Sequence, residues 1–523
     1  VVRLRDGGRV LAFVTIPVNG DGSWSGELVV PAGTPGGDHE LAARCAAIGH
    51  EERDPVVYAR VPFTVTGEGS GAEAHPNTPR FNGGIERYTP YDGQSTCSPS
   101  TKPGMARFMN MVRTHYGGGS LGVGRACGAG GTSEHKEGRA WDWAMNAGSA
   151  RDRARVQALM DWLFATDVRC NHYSRARRLG VMYIIWNRHM FRLYDVDRGW
   201  ASYSGASPHT DHVHFSLSRA GGAGTTSFWN PRYRLPANWG PAQHGNQDLS
   251  MNDEWDDVRP LVGDFDGNEV DDLLWYRPGG ASDMVWYGNG DGQFARRDIN
   301  IGGTFEPFVG DFNGDCRDDV YLYGPGNAPD VEWLGRRNRT FRPIPTNMPG
   351  DHQFPVVGDF NRDRSKDILW YSPGPAPDVL WLGSVYGFVR RSINVGGNYT
   401  PLAGDFDGDQ HDDILWFRPG TAGDRIWYGK NQGFTSRTIE VNRTERPVVG
   451  DYNDDQRADI FWYGHADAPD AVWVGTSARA FRGYRTAIDR PYDHVVAGEF
   501  DGRDGDDLFW HTGELHSDRI WRY

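Results

Sequence analysis

The stretch Gly263-Asp264-Phe265-Asp266-Gly267-Asn268 occurs, little changed, six times in the second half of the chain. It returns as Gly310-Asp311-Phe312-Asn313-Gly314-Asp315, then from Gly358, Gly404, Gly450 and Gly498, with a period of 46–48 residues. Each copy runs on into an apolar strand such as Ile368-Leu369-Trp370-Tyr371. A Pro/Gly turn follows, then Asp-x-x-Trp-x-Gly, as in Asp378 to Gly383, and a last strand that begins near Phe388 in that copy. Four short strands per repeat make one propeller blade, so six copies predict six blades. The last copy ends at Tyr523 without its final strand. Residues near 246–256 are expected to supply it and close the ring.

The acidic loops of these repeats place oxygen-bearing residues at alternate positions and a carboxylate at the ninth. Hard cations such as calcium take several oxygen ligands in this way. The candidate ligands are Asp264, Asp266, Asn268 and Asp272; Asp311, Asn313, Asp315 and Asp319; Asp359, Asn361, Asp363 and Asp367. Two further sets follow: Asp405, Asp407, Asp409 and Asp413; Asp451, Asn453, Asp455 and Asp459. About five calcium ions are expected on this reading. The sixth loop, Glu499-Phe500-Asp501-Gly502-Arg503, carries an arginine where a ligand oxygen is needed, so its charge should replace the ion. The tryptophans at fixed repeat positions are expected to pack between blades. The repeats resemble the FG-GAP/VCBS repeats of integrin-like propellers, and the resemblance implies a calcium-binding module.

A second motif lies upstream, in Ser133-Glu134-His135-Lys136-Glu137-Gly138-Arg139-Ala140-Trp141-Asp142. Some seventy residues later comes its complement, His209-Thr210-Asp211-His212-Val213-His214-Phe215. Catalytic zinc takes three protein ligands and leaves a fourth position open. His135, Asp142 and His214 supply two imidazoles and a carboxylate, with Gly138 to let the chain turn between the first two. His212 and His214 alternate with Val213 in what reads as a strand, where residues two apart share a face.

Ser-x-His-x-x-Gly-x-Ala-x-Asp with a later His resembles the zinc D-alanyl-D-alanine carboxypeptidases and dipeptidases. These share a metal-site core with lysostaphin-type peptidases and the hedgehog signalling domain. The likeness covers roughly residues 75–245. It implies one catalytic zinc held by His135, Asp142 and His214. It also implies that Arg125 stabilises charge on the substrate carbonyl and that Ser133 contacts the substrate's amino end. The family places a glutamate three residues before the last histidine, as the base. Here Asp211 stands there, one methylene shorter, and His212 or His209 could share the proton work.

Around these motifs the chain shows helical spacing at Ala106, Met109 and Val112, and again from Ser149 to about Thr166. Val181 to Trp186 and His212 to Ser218 read as strands. Helices with antiparallel strands make an α+β domain. Residues 1–67 read as short strands, among them Val10–Val14, Gly26–Val30 and Val61–Val65, and suggest an immunoglobulin-like β-sandwich. A linker follows over Gly67–Ala72. The fold class expected is therefore multidomain. It comprises an Ig-like β-sandwich over 1–67, an α+β zinc metallopeptidase-like domain over 75–245 and an all-β six-bladed propeller over 246–523.

The 523 residues carry a net charge of −14, which the acidic repeats supply, since residues 71–245 hold nine more Arg and Lys than Asp and Glu. A basic face attracts anionic polymers such as bacterial cell wall. No aromatic-basic motif marks a nucleic-acid binder. No apolar run approaches the ~20 residues that would span a bilayer. The chain has 51 Arg against 4 Lys, the coding bias of a GC-rich bacterial genome. Five cysteines are compatible with secretion. A Cys97–Cys127 disulfide is expected, with Cys45, Cys170 and Cys316 free. Chain start Val1-Val2-Arg3 lies inside strand-like sequence and reads as trimmed. The function expected is a secreted or cell-wall-associated monomeric zinc peptidase. It would cut D-amino-acid-containing peptidoglycan peptides or another extracellular peptide or polymer. The alternative is a non-catalytic adhesion protein whose repeats do the binding and whose zinc domain is structural.

Overall fold

A computed structural model describes strand residues 2–6, 9–14, 37–45, 56–57 and 61–65 at the level of the backbone, and then residues 76–79, 81 and 85–230 apart from 168 and 206. It further describes 246–249, as backbone, and 258–521 apart from 281, 325, 327, 347–353, 385–386, 421–422, 465–468, 487, 489–491, 503–504 and 513–517. The expected strand Gly26–Val30, the linker, the Cys45 thiol and Arg503 lie outside the described residues. The chain falls into two compact units. One comprises Val1–Thr78, Pro90–Leu163 and Val181–Gly224; the other comprises Pro79–Thr89, Phe164–Gly180 and Thr225–Tyr523.

The fold class needs correction. The described structure is nearly all small antiparallel sheets with few helices, no Ig module is evident, and no closed propeller is found. The first unit opens with β1 (Val2–Asp6), β2 (Arg9–Val14), β3 (Gly37–Cys45), β4 (Val56–Val57) and β5 (Val61–Val65). These strands form one five-stranded sheet, with β3 paired to β1, β4 and β5. A sandwich would need a second sheet facing the first.

The α+β expectation holds for residues 97–217. There α1 (Pro103–Tyr116) is followed by β6 (Gly119–Gly122), a 3₁₀ turn (Glu134–Glu137) and β7 (Ala140–Ala144). Then come α2 (Ala150–Phe164), α3 (Ser174–Leu179), β8 (Val181–Trp186), β9 (His189–Arg192), β10 (Ala201–Ser202) and β11 (His212–Leu217). Of these, α3 groups with the second unit. The six strands make one antiparallel sheet, in the order β10-β9-β8-β11-β7-β6. Pro103 starts α1 at a position where its missing N–H costs nothing. Asp152 N–H donates to Ser149 Oγ, which caps α2 as its Ser-x-x-Asp pattern predicts.

Period-two alternation sorts the faces of this sheet. Phe215 and Trp141 stack at 5.9 Å, and Phe108 of α1 meets both edge-on. The intervening residues Asp142 and His214 therefore face the other way, a consequence of pleating.

The second unit holds six four-stranded antiparallel sheets, and among the described residues no strand ladder joins one sheet to the next. The first runs Arg259–Gly263, Asp272–Tyr276, Asp283–Gly288 and Phe294–Ile299. The others begin at Glu306, Phe354, Thr400, Arg446 and His494. The last sheet takes its fourth strand from β12 (Asn246–Leu249), which pairs with Asp518–Trp521. That missing strand was legible in the sequence; the closed ring it was expected to complete was not found. Consecutive sheets share apolar clusters, such as Leu274, Tyr276 and Val285 with Val320 and Leu322. Trp275, Trp370, Trp416, Trp462 and Trp510 are fully buried in these clusters or beside them, as core and not as exposed platforms.

Two disulfides are present, Cys97–Cys127 and Cys170–Cys316, with Cα separations of 5.9 and 5.4 Å. The second corrects the expectation of free thiols at Cys170 and Cys316. They are 146 residues apart in sequence, and only the fold brings them together.

Phe215→Ala should be costly, because its ring is fully buried between Trp141 and Phe108. A loss of about 3–5 kcal/mol is expected for such a cavity, seen as a lower denaturant midpoint for the transition reported by Trp141 and Trp143 fluorescence.

Candidate metal centres

The first cluster is assembled by strand register. His214 on β11 lies directly opposite Asp142 on β7. Pairing thus places the two side chains on one face, close enough for His214 Nδ1 to stand 2.9 Å from Asp142 Oδ1. His135 comes from the 3₁₀ turn, and Gly138 ends that turn at φ 66°, ψ 22°. A Cβ on Gly138 would lie 1.9 Å from Ser100 O, so both the turn and the close approach of residues 98–102 require glycine. Ser98 N–H to Lys136 O (2.7 Å) and Lys102 N–H to Gly138 O (2.9 Å) hold that approach.

His135 Nδ1–H donates to Val123 O at 2.7 Å, which leaves Nε2 bare. His135 Nε2 stands 3.2 Å from His214 Nδ1 and 3.3 Å from Asp142 Oδ1. A tetrahedral ion with bonds of about 2.0–2.1 Å would hold its donors roughly 3.3 Å apart. The three donor atoms fit zinc in type, number and spacing. Burial alone would raise the Asp142 carboxyl, but its contacts with the His135 and His214 rings hold it well below the usual carboxylate range. Burial pushes His214 down, towards the neutral form a metal requires.

The expected base is placed differently. Asp211 is 76% exposed, and its Oδ1 accepts from His212 Nδ1 at 2.8 Å. That bond turns His212 Nε2 to the cluster, 3.6 Å from Asp142 Oδ1. His209 packs on His212 with ring centres 4.6 Å apart and is pushed down to about 4 by burial and by the neighbouring His214. Arg125 is exposed, and its backbone N–H bonds His135 O at 3.1 Å. Ser133 N–H donates to Gln94 Oε1 at 2.7 Å. His189 is exposed, and His172 Nδ1 bonds Thr166 Oγ1 at 3.0 Å within the second unit.

Four residues went unread in the sequence. Glu134 is buried and accepts from Tyr183 O–H at 2.5 Å, while the Tyr183 ring lies against His214 at 5.5 Å. Glu137 accepts from Thr96 and Ser95 and pairs with buried Arg139. Burial would raise Glu137, but those hydrogen bonds take it down to about 2. A run of charged residues in a short turn gives no sign of which will be buried.

The repeat loops form a second kind of centre. Asp264 accepts N–H groups from Gly267, Asn268 and Glu269, which folds the loop around its first residue. Carboxylate oxygens of Asp264, Asp266 and Asp272 converge within 4.8 Å, as do those of Asp405, Asp407 and Asp413. Glu499, Asp501 and Asp507 of the sixth loop converge equally. The third-position oxygens Asp266 Oδ1, Asn313 Oδ1, Asn361 Oδ1 and Asn453 Oδ1 are buried without a hydrogen-bond partner. A buried oxygen left in that state is costly, and a hard cation would satisfy it. The loops fit calcium on that ground. Asn268, Asp315, Asp363, Asp409 and Asp455 occupy the fifth positions, where Asp315 and Asp455 already pair with Arg317 and Arg457.

Comparison with known proteins bears on both regions. Residues 97–214 match the family described as VldE, C-terminal domain. Residues 311–370 and 405–462 match the FG-GAP-like repeat, so the C-terminal part is built of FG-GAP-like repeats. The chain matches no curated protein. Among solved structures, it is similar to a lectin of Agrocybe aegerita, described for specific recognition of non-reducing terminal N-acetylglucosamine. The identity is 15%, the TM-score is 0.37, and the match covers 50% of this chain and 79% of the lectin.

Burial, reinforced by neighbouring carboxylates, raises the loop acids: Asp359 and Asp405 to about 6, Asp264 and Asp451 to about 7, Asp311 to about 8. Their folded values lie above the unfolded ones, so between the two the folded chain binds more protons and loses stability as pH rises. In a chelator the repeats' melting temperature should therefore fall from about pH 4 towards pH 8. Excess calcium should flatten that slope; a slope of the opposite sign would show the loop acids already ionised at low pH.

Proposed function

We propose that this chain is a secreted zinc peptidase acting on D-amino-acid-containing peptides of the bacterial cell wall, with the repeats as a calcium-loaded binding module. The observation that carries the reading is the convergence of His135 Nε2, Asp142 Oδ1 and His214 Nδ1 on one point. The chemistry a zinc ion supplies when bound there is Lewis acidity, which polarises a carbonyl and lowers the pKa of water to about 7.

The chain's own residues do the rest. His212 Nε2 takes a proton from the attacking water and returns it to the leaving amine, a general acid–base role. Asp211 holds His212 in the tautomer that keeps Nε2 free, a positioning task that suits an exposed carboxylate. Arg125 offers its guanidinium to the developing oxyanion, and Ser133 meets the substrate's amino end. Two disulfides support an oxidising, extracellular setting. Among the described residues no helix is long and apolar enough to cross a membrane.

A second reading, a non-catalytic binding protein, is favoured by the FG-GAP-like repeats, which suggest a binding module. Digesting muropeptides with the zinc-loaded full chain and weighing the products separates the two. Mass loss consistent with peptide-bond hydrolysis supports the enzyme; intact muropeptides retained on the protein support the binder.

Variants test the roles one by one. His135→Ala, Asp142→Ala and His214→Ala should lose zinc and hydrolysis together. His212→Ala should keep zinc by elemental analysis and lose about 10²–10⁴ in rate. Asp211→Ala should keep zinc with a smaller loss, and Arg125→Ala should lower turnover without releasing metal. A His212→Ala enzyme as fast as wild type would move the base elsewhere.

A further inference from the structure

The sixth residue of the first five repeat loops has a conformation that its side chain resists. Glu269, Cys316, Arg364, Gln410 and Gln456 have φ between 62° and 76°, in the left-handed region. In each, the backbone N–H donates to Oδ2 of the loop's first aspartate: Asp264, Asp311, Asp359, Asp405 and Asp451, at 2.7–2.9 Å. The strained residue therefore orients the first carboxylate. A relaxed φ would swing that N–H away and leave the carboxylate unaimed.

Residues 164–180, in the same compact unit as the repeats, reach four of these five positions. His172 N–H donates to Glu269 at 2.9 Å, and Arg177 pairs with the same carboxylate. Cys170 is joined to Cys316. Arg364 donates to Thr166 O at 3.2 Å. Arg169 donates to Gln456 O, and its guanidinium stands 3.5 Å from Asp451 and 4.0 Å from Asp405. Loops that differ in sequence at the sixth position are thus met by different chemistry at the same place: a carboxylate by an N–H and a cation, a thiol by a thiol, a guanidinium by a carbonyl.

We propose that residues 164–180 are a clasp that holds the sixth residues left-handed and so preorganises the loops for their cation, with Cys170 as the covalent anchor of the loop Asp311–Asp319. The proposal rests on the calcium reading given above. Preorganisation raises affinity because the ordering cost is met before the ligand arrives. Loosening the anchor makes the ion meet that cost itself.

The test compares the full chain with its Cys170→Ser/Cys316→Ser variant, both freed of metal by chelation. Calcium is titrated calorimetrically, and hydrogen exchange is followed over Asp311–Asp319 without calcium. In the variant one class of site should weaken by about tenfold, and exchange in that loop should speed while the loops at Asp359, Asp405 and Asp451 hold their rates. Wild-type affinity at every site together with unchanged exchange overturns the clasp. If wild-type protein takes up no calcium, the calcium reading falls, and the exchange measurement alone decides whether the clasp holds the loop. Should the double variant fail to fold, Arg169→Gln moves the exchange readout to Asp451–Asp459, where unchanged rates overturn the proposal equally.

Discussion

Every repeat depends on a buried aspartate at the start of its second strand. Asp272, Asp319, Asp367, Asp413, Asp459 and Asp507 open the second strands and are at most 2% exposed. Asp272 takes N–H groups from Phe265 in the loop and Gly288 at the end of the third strand. Asp367 and Asp413 do the same with Phe360 and Gly383, and with Phe406 and Gly429. Such a carboxyl is affordable only because the backbone donors replace water. Burial still takes Asp272 up to about 10 and Asp413 to about 9.

A second aspartate does matching work at the other end of the sheet. Asp283, Asp378, Asp424 and Asp470 open the third strands. Each accepts one N–H from the preceding turn and one from beyond the fourth strand, as Asp378 does from Ser372 and Val395. The Asp-x-x-Trp-x-Gly signature is thus a staple followed by core. Short sheets have little apolar area to bury, so these staples fix where each strand begins. Successive loops are then linked through the eighth position: Asp318, Asp412 and Asp506 exchange paired hydrogen bonds with Asp264, Asp359 and Asp451. The loops that would hold cations are therefore also the joints between sheets, so cation loading and stability of the repeats should be coupled.

In the other unit, the histidine–aspartate cluster is made by register. A strand pair shifted by one residue would turn His214 into the core and Phe215 out to the cluster. The apolar face of β7 and β11, packed on Phe108, is what forbids that shift. The geometry of these candidate ligands is secured by hydrophobic packing on the opposite side of the same strands.

The sequence by itself determined the periodic parts: the six repeats, the acidic loops, β8 to the residue, the helix α1 around Ala106, Met109 and Val112, and the strand from Asn246–Leu249 that completes the last sheet. Alternation and spacing are local signals, and local hydrogen bonding obeys them. It also named His135, Asp142 and His214 as a set. Tertiary structure alone decided whatever depends on distance along the chain. It joined Cys170 to Cys316, turned Asp211 to His212, and buried Glu134 and Glu137 in a turn that reads as solvent-facing. It also left one sheet where a sandwich was expected and separate sheets where a closed ring was expected. The physical reason is the same in each case. A side chain's partner, and the packing of one sheet on another, are set by surfaces that meet only after the chain has folded.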